Sequence, residues 1–239
     1  QPGSLHYTDH PREPYRRLQA AVITLSKGPV APSDAVNRSD VALILRSCMA
    51  DGTLLQPSRP ATKLDSFILA EALDTGKPTG EVWFAETELS SRRYGVLFSA
   101  QLTQPATILP KELGYAPYAA LVAIEANSTS RIIRIGGYGR NPSSLDIPKC
   151  GSYDFGVWNF APVEANGWAL LGEVTSKWVG VSTSRFVSVA SEASPTSLRV
   201  GVRGAEGEVV EVSFAPPEGS KPVVVKCRIP AQGHAIVMM

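Results

Sequence analysis

The sequence predicts an α/β fragment, namely the last units of a (β/α)8 barrel, followed by an all-β antiparallel β-sandwich. In the first part, apolar residues recur at helical spacing in two segments that flank a short apolar run. Beyond Gly76 the apolar period changes to alternation, and about a dozen short strands are separated by turn residues, as in two packed antiparallel sheets. We therefore place terminal βα units of a TIM-type barrel at 1–76 and the sandwich at 77–239.

The first part is predicted to alternate helices with one strand. Its elements are a helix over 13–26, a buried strand over 29–31, a helix over 41–49 and a short helix or turn over 65–73. Tyr15 begins the apolar face of the first helix, and Lys27-Gly28 supplies the cation and the glycine that favour its end. Ser39-Asp40 is a suitable cap for the second helix. Apolar residues nearly all round that second helix predict deep burial.

The second part is predicted to be a series of antiparallel strands. Asn166-Gly167 and Gln232-Gly233 are typical of the tight turns that join such strands. The predicted strands cover 82–84, 94–102, 118–126, 131–135, 153–160, 168–174, 178–181, 186–190, 198–202, 209–214, 222–229 and 235–238.

Composition excludes two classes of partner. The formal net charge is +1, with 44% hydrophobic and 19% charged residues. A nearly neutral chain without a basic cluster argues against nucleic acid as the main partner. Because no apolar run approaches the ~20 residues of a membrane span, no such span is predicted.

The cysteines and two sequons bear on the compartment of the protein. Cys48, Cys150 and Cys227 cannot all pair within the chain, and we predict a Cys150–Cys227 disulfide because both lie in the β-rich part; the state of Cys48 stays open. The absence of a Cys-x-x-Cys or Cys/His cluster predicts no zinc site. Glycosylation sequons at Asn37 and Asn127, with the disulfide, predict a secreted or lumenal protein. Since the chain opens on Gln1, we expect a processed product or a piece of a longer protein.

Other chemical motifs are weak. Ser4, His6 and Asp9 lie near one another, but no Gly-x-Ser-x-Gly elbow supports a catalytic triad. The glycine-rich run 136–140 lacks dinucleotide spacing and is predicted as a turn, so we expect no cofactor. Sugar rings stack on exposed aromatic faces, yet Trp also fills sandwich cores. We expect at most one of the four tryptophans on an open face, the four being Trp83, Trp158, Trp168 and Trp178.

Several motifs occur in an order that resembles a known family of enzymes. In chain order they are His10-Pro11, Gly28-Pro29-Val30 with Ser33-Asp34, Asp51-Gly52-Thr53-Leu54-Leu55, Arg59-Pro60-Ala61-Thr62, Phe160-Ala161-Pro162-Val163, and Gly167-Trp168-Ala169-Leu170-Leu171-Gly172-Glu173 with Lys177. This order resembles the end of the barrel and the C-terminal β-domain of the α-galactosidase and raffinose-synthase clan of glycosidases.

The resemblance implies that this chain carries no catalytic residue. In the clan, the nucleophile and the acid/base carboxylates lie on earlier barrel strands, which this sequence does not contain. Asp34, with Ser33, stands where a family residue at the mouth of the last strand faces the sugar. The alternative for Asp34 is a turn residue that makes local backbone hydrogen bonds. Gly3-Ser4 replaces a Trp-Asp pair of the family, which weakens the case for sugar binding by that strand.

Three functions follow as hypotheses. In the first, the chain is the C-terminal portion of a glycoside hydrolase-like protein acting on α-linked sugars, and it closes and braces a barrel. Its partner is then the N-terminal barrel portion, which covers the apolar flanks of the first two helices. In the second, the chain is a non-catalytic extracellular carbohydrate-binding or structural protein derived from a glycosidase fold. A third hypothesis is a stand-alone sandwich lectin, which requires tryptophans on an open face.

Overall fold

The computed structural model describes residues 14–32, 34, 37–126, 128–137, 144–151, 153–191 and 197–239. Over these ranges the protein is mostly β. The helices are α1 (Arg16–Leu25), α2 (Val41–Ile44) and α3 (Asp65–Leu73), with a 3-10 helix at Pro110–Leu113. The strands are β1 (Thr62–Lys63), β2 (Glu81–Leu89), β3 (Arg92–Ala100), β4 (Ala106–Ile108), β5 (Leu121–Glu125), β6 (Ser128–Ile135), β7 (Leu145–Ile147), β8 (Phe155–Pro162), β9 (Ala169–Gly172), β10 (Phe186–Ser191), β11 (Leu198–Arg203), β12 (Val209–Ala215), β13 (Val223–Arg228) and β14 (His234–Met238).

The strands form four sheets, and the strand pairs within the described ranges are antiparallel. The largest has six strands in the order β1-β2-β3-β8-β5-β6. Two three-stranded sheets follow, β10-β11-β14 and β13-β12-β9, and β4 pairs with β7 alone. The long strands β2 and β3 form a hairpin, which is the connection that antiparallel neighbours favour.

One face of the six-stranded sheet is covered by α3 and by the β4–β7 pair. Leu97 and Phe160 from the sheet form a buried cluster with Phe67 of α3 and with Ile108 and Ile147. Phe67 lies on the buried side of a helix that begins at Asp65, where a carboxylate suits the positive end of the helix dipole.

The opposite face of the same sheet is covered by two different elements. α1 lies on one end, where Ala21 and Leu25 pack with Val157 and Trp178. At the other end Val122 and Ile124 enter the largest cluster, which also contains the following residues of the two three-stranded sheets and the loops between them: Leu170, Leu171, Val174, Val181, Phe186, Val200, Val212 and Phe214. The six-stranded sheet therefore lies at the centre of the hydrophobic core.

The prediction of a barrel fragment in residues 1–76 is wrong. In the described part of that range, the only strand is the two-residue β1, which pairs antiparallel with β2 rather than parallel with a barrel neighbour. The predicted strand at 29–31 does not form. Pro29 and Pro32 flank it and cannot donate to a strand ladder, and the segment is exposed or half-buried.

The predicted helix over 41–49 is also too long. α2 ends at Ile44, and Cys48 instead forms an isolated antiparallel bridge with Leu54. Val41 is 61% exposed and Leu45 is exposed too, so the predicted deep burial of this helix is wrong. The apolar face of α1 is divided, because Ala21 and Leu25 are buried on the chain's own sheet while Val22 and Ile23 are exposed.

Most of the predicted strands exist, with shifted ends. The sequence analysis missed β1, β4 and β7, which are too short for an alternating pattern to appear. The predicted strand at 178–181 is a buried loop instead, and single hydrogen bonds rather than a strand ladder hold its main chain. Trp178 N donates to Arg46 O at 3.1 Å, and Gly180 N donates to the side chain of Asn159 at 2.8 Å.

Candidate functional site

Of the two residues predicted to bind a sugar, Asp34 and Ser33, the structure describes only Asp34. Asp34 is exposed and lines neither of the two clefts described below. Ser33 and the sequon residue Asn127 lie outside the described residues. Asn37 is exposed in a turn, with a φ of 61°. An exposed turn is accessible to glycosylation, which stays a prediction for both asparagines.

The predicted disulfide partners are not brought together. All three cysteines are free thiols. Cys150 packs against the cluster beneath α3, whereas Cys227, on β13, packs against the cluster of the three-stranded sheets. Both residues lie in the β-rich part, as predicted, but in different layers of it.

A cleft of about 450 Å³ lies where β3 and β5 end and β8 begins. Strand register places its floor, because Ser99 pairs with Gly156 and Glu125 pairs with Trp158. Directly opposite residues of antiparallel strands project from the same face of a sheet. The full lining among described residues is Arg17, Ser99, Glu125, Pro148, Lys149, Cys150, Tyr153, Asp154, Phe155, Gly156 and Trp158. We call it the aromatic cleft.

The floor of the aromatic cleft carries polar groups without a partner in the described protein. Trp158 is only 7% exposed, and its indole N–H has no hydrogen-bond acceptor. Glu125 is half-buried and makes no hydrogen bond or ion pair among the described residues; burial raises the pKa of its carboxyl group. Gly156 keeps the space beside the indole open, since a Cβ there would lie 3.1 Å from Trp158 Nε1 and 2.8 Å from Ser99 Oγ.

The wall of the aromatic cleft supplies ring surface and balanced charge. Tyr153 is 58% exposed and stacks on Tyr15 of the α1 entry at 3.8 Å between ring centroids. The ring of Phe155 extends this surface into the interior, and its centroid lies 5.8 Å from that of the Trp178 ring. Among the described residues, the charged side chains of the lining balance to a formal charge of zero, two being cationic and two acidic: Arg17, Lys149, Glu125 and Asp154. Such a cleft can accept hydrogen bonds, donate them and pack against an apolar ring face.

A second cleft borders a buried cluster of charges that joins residues 45–56 to the sandwich. Arg185 is fully buried and donates from Nε to Glu173 Oε2 at 2.8 Å and from Nη1 to Glu208 Oε2 at 2.9 Å. Lys177 Nζ donates to the main-chain carbonyls of Leu45 and Cys48, both at 2.6 Å. We call Glu173, Lys177, Arg185 and Glu208 the Arg185 cluster.

The Arg185 cluster lies where two motifs that are distant in the sequence meet in space. The run ending in Gly172-Glu173 and Lys177 meets the segment around Asp51-Gly52 through main-chain contacts. Gly172 has a φ of +76°, and a Cβ there would lie 1.9 Å from Gly180 O, so only glycine allows this crossing. Ala50 N donates to Glu208 Oε1 at 3.2 Å. Since the charged side chains of the cluster are all paired, we assign it a stabilising role rather than a binding one.

The Arg185 cluster predicts a pH-dependent stability. Burial opposes ionisation of Glu208, but the hydrogen bonds and charge of Arg185 outweigh it and hold the pKa of Glu208 below its ordinary value of 4.5. A carboxyl with a lowered folded-state pKa stabilises the fold above its unfolded-state pKa and loses that effect as the pH falls through the folded-state value. Glu208→Gln is therefore expected to be less stable than wild type at pH 7, with the difference shrinking below about pH 4.5.

Urea denaturation of both proteins from pH 7 to pH 3 measures this difference. Comparison with the Gln variant is needed because the pKa of a second carboxyl group, that of Glu173, is shifted in the opposite direction. Burial raises the pKa of Glu173 despite the charge of Arg185. A difference in unfolding free energy that stays constant over the whole range contradicts the assignment to Glu208 ionisation.

The structure gives further limits on the site. No group of three or more His, Cys, Asp or Glu side chains suited to a metal ion occurs among the described residues. Within the same ranges, no helix combines the length and apolar character needed to cross a membrane. Comparison of the chain with protein-family models and with curated proteins finds no match.

Proposed function

We propose that this chain is a non-catalytic carbohydrate-binding protein and that the aromatic cleft binds the saccharide. The observation that carries the proposal is the indole N–H of Trp158, a residue that lines this cleft: the N–H is buried and has no acceptor among the described residues. A buried donor left unpaired costs about 1–3 kcal/mol, so a ligand that accepts from it gains that amount.

The chemistry of the cleft fits a polyhydroxylated ring. Sugar hydroxyls both donate and accept, which matches the carboxylate of Glu125 and the indole N–H of Trp158 side by side. The C–H face of a pyranose is apolar and suits the exposed ring of Tyr153. A cleft of about 450 Å³ is within the usual range for small-molecule sites, about 300–1,000 Å³.

The structure does not favour a barrel-closing role. That role rested on barrel units in residues 1–76, which the described residues do not form, and α1 already lies on the chain's own sheet. A secreted or lumenal location belongs to the proposal and is supported by the exposed sequon at Asn37. Mass spectrometry of the native protein, with and without glycosidase treatment, tests it.

Trp158→Phe is expected to weaken saccharide binding roughly fivefold to tenfold, because it removes one hydrogen bond worth about 1 kcal/mol and keeps a ring in place. A glycan array first identifies a ligand, and isothermal titration calorimetry then compares the variants. Trp83→Phe is the matched control, since the Trp83 N–H donates to Glu81 at 2.6 Å outside the aromatic cleft. Its affinity is expected to equal that of wild type.

Two results would contradict the proposal. One is a Trp158→Phe variant that is folded and binds as tightly as wild type. The other is hydrolysis of the bound saccharide by the chain, followed by chromatography of the products, which would make the protein an enzyme.

A further inference from the structure

Glu125 is a charged group of the aromatic cleft that the described protein leaves without a counter-ion. The residue is half-buried, and its carboxylate makes no hydrogen bond or ion pair among the described residues. Burial raises the pKa of this carboxyl group, and no cation in the described part of the chain opposes the shift. A partly desolvated carboxylate without a partner is unfavourable, so a cationic group that reaches it is bound favourably.

The two cations of the same lining do not pair with Glu125. The guanidinium carbon of Arg17 lies 5.6 Å from the centre of the Trp178 ring, and Arg17 also has a partner of its own. Lys149 is exposed, and neither of these cations contributes to the pKa shift of Glu125. The charges of the described lining therefore balance in sum, while the surroundings of Glu125 favour a cation.

Strand register places a second acceptor on the floor of the aromatic cleft. Ser99 of β3 pairs with Gly156 of β8, and Glu125 of β5 pairs with Trp158 of β8, so both side chains project from one face of the sheet. Ser99 is only 2% exposed, and its hydroxyl makes no hydrogen bond within the described ranges. Because Gly156 has no side chain, the strand between Ser99 and Glu125 leaves room for a ligand whose donors face both acceptors.

The wall of the aromatic cleft suits a cation as well as a sugar ring. Tyr153 is 58% exposed, and its ring is held by stacking on Tyr15 at 3.8 Å between centroids. A ring face attracts an ammonium group and the C–H groups beside it, and it also packs against the apolar face of a pyranose. A carboxylate without a counter-ion and an exposed ring face in one cleft match a sugar that carries an amine.

We propose that Glu125 binds the protonated amine of an amino saccharide whose ring packs against Tyr153 in the aromatic cleft. This inference rests on the proposed function and extends it by naming the ligand class. Ser99 accepts a hydrogen bond from another polar substituent of the same ligand, and the carboxylate selects for the positive charge.

Three saccharides that differ in one substituent test this proposal. Cellotriose, triglucosamine and tri-N-acetylchitotriose share ring stereochemistry, length and β-linkage, and carry a hydroxyl, an amine or a neutral amide at the same ring carbon. Calorimetry at low salt and about pH 6.5, which keeps an amine of this kind protonated, measures the affinities. Triglucosamine is expected to bind about tenfold tighter than the other two, since a hydrogen bond between charged groups is worth more than a neutral one. Glu125→Gln is expected to abolish this preference.

Two further variants control for charge. Glu88→Gln removes an exposed carboxylate of β2 that lies outside the aromatic cleft and also has no side-chain partner among the described residues, and it is expected to keep the full preference. Asp154→Asn removes an exposed carboxylate from the cleft itself and is expected to keep most of the preference, because an exposed charge contributes little. Thermal unfolding checks that each variant is folded, and Glu125→Gln is expected to be at least as stable as wild type because it breaks no ion pair.

The outcomes separate this inference from the proposed function. If triglucosamine has no advantage over cellotriose, or if Glu125→Gln keeps the advantage, the assignment is wrong, while cellotriose binding leaves the proposed function standing. Equal affinity for triglucosamine and the acetylated trimer means that an uncharged N–H suffices, which also overturns the assignment. If ethanolamine binds as tightly as triglucosamine, the cleft binds free cations and the assignment is again wrong. If no saccharide of a glycan array binds, the proposed function fails first and the inference fails with it.

Discussion

Arg185→Met is expected to lower the free energy of unfolding by about 3–5 kcal/mol. The arginine is fully buried and pairs with Glu173 and Glu208, so its loss leaves two carboxylates without their cation, Glu173 deep in the interior. Desolvated charges without a partner are among the costliest defects in a folded protein. Urea denaturation followed by tryptophan fluorescence measures the change, and the variant is expected to unfold at a much lower urea concentration.

A matched control for Arg185→Met is Lys226→Met. Lys226 also pairs with a carboxylate, Glu211 at 2.7 Å, but at the surface. Its replacement is expected to leave the denaturation midpoint unchanged, because exposed ion pairs contribute little. The triple variant with Glu173→Met and Glu208→Leu added is expected to recover part of the loss, since no unpaired charge remains. Equal stability of wild type and Arg185→Met would mean that the buried ion pairs of Arg185 do not stabilise the fold.

Trp178→Ala is expected to cost about 3–5 kcal/mol of unfolding free energy, the usual range for removing a buried Trp or Phe. The ring lies between Ala21 and Leu25 of α1 and the six-stranded sheet, so the cavity opens where helix meets sheet. Hydrogen exchange is expected to show the largest loss of protection in α1. Chemical denaturation gives the global value.

Tyr118→Ala provides the comparison for Trp178→Ala. It also removes an aromatic ring, but one that is 70% exposed, and surface changes of this kind stay within about 0.5 kcal/mol. If Trp178→Ala unfolds like Tyr118→Ala, the packing of α1 on the sheet does not contribute to stability as described.

Local patterns in the sequence predicted local structure well. Apolar spacing predicts α1, residues 65–73 are predicted as a short helix or a turn and form α3, and the alternating runs after Gly76 predict most of the strands. The barrel interpretation failed because helix–strand–helix order was inferred from a run bounded by prolines, Pro29 and Pro32. Proline removes the donors that a strand needs, and that constraint outweighed the apolar character of Val30.

The candidate site depended on information that local patterns do not contain. Glu125 and Trp158 become neighbours through strand register, and Arg17 reaches the same cleft from a helix far away in the chain. The sequence analysis allowed one of the four tryptophans an open face. None of the four is largely exposed, and Trp158 is buried with an indole N–H that has no acceptor among the described residues. Nothing in the sequence indicates that its N–H lacks an acceptor.

The way Lys177 binds residues 45–50 affects how this protein can change during evolution. Within this segment, Lys177 donates to the carbonyl oxygens of Leu45 and Cys48, and Glu208 accepts from the amide of Ala50. Every amino acid presents those carbonyls, and all but proline present that amide. Mutations that alter the side chains of this segment therefore keep these particular hydrogen bonds, whereas mutations of the lysine do not. Divergent homologues can be expected to retain the lysine opposite a segment that they no longer share.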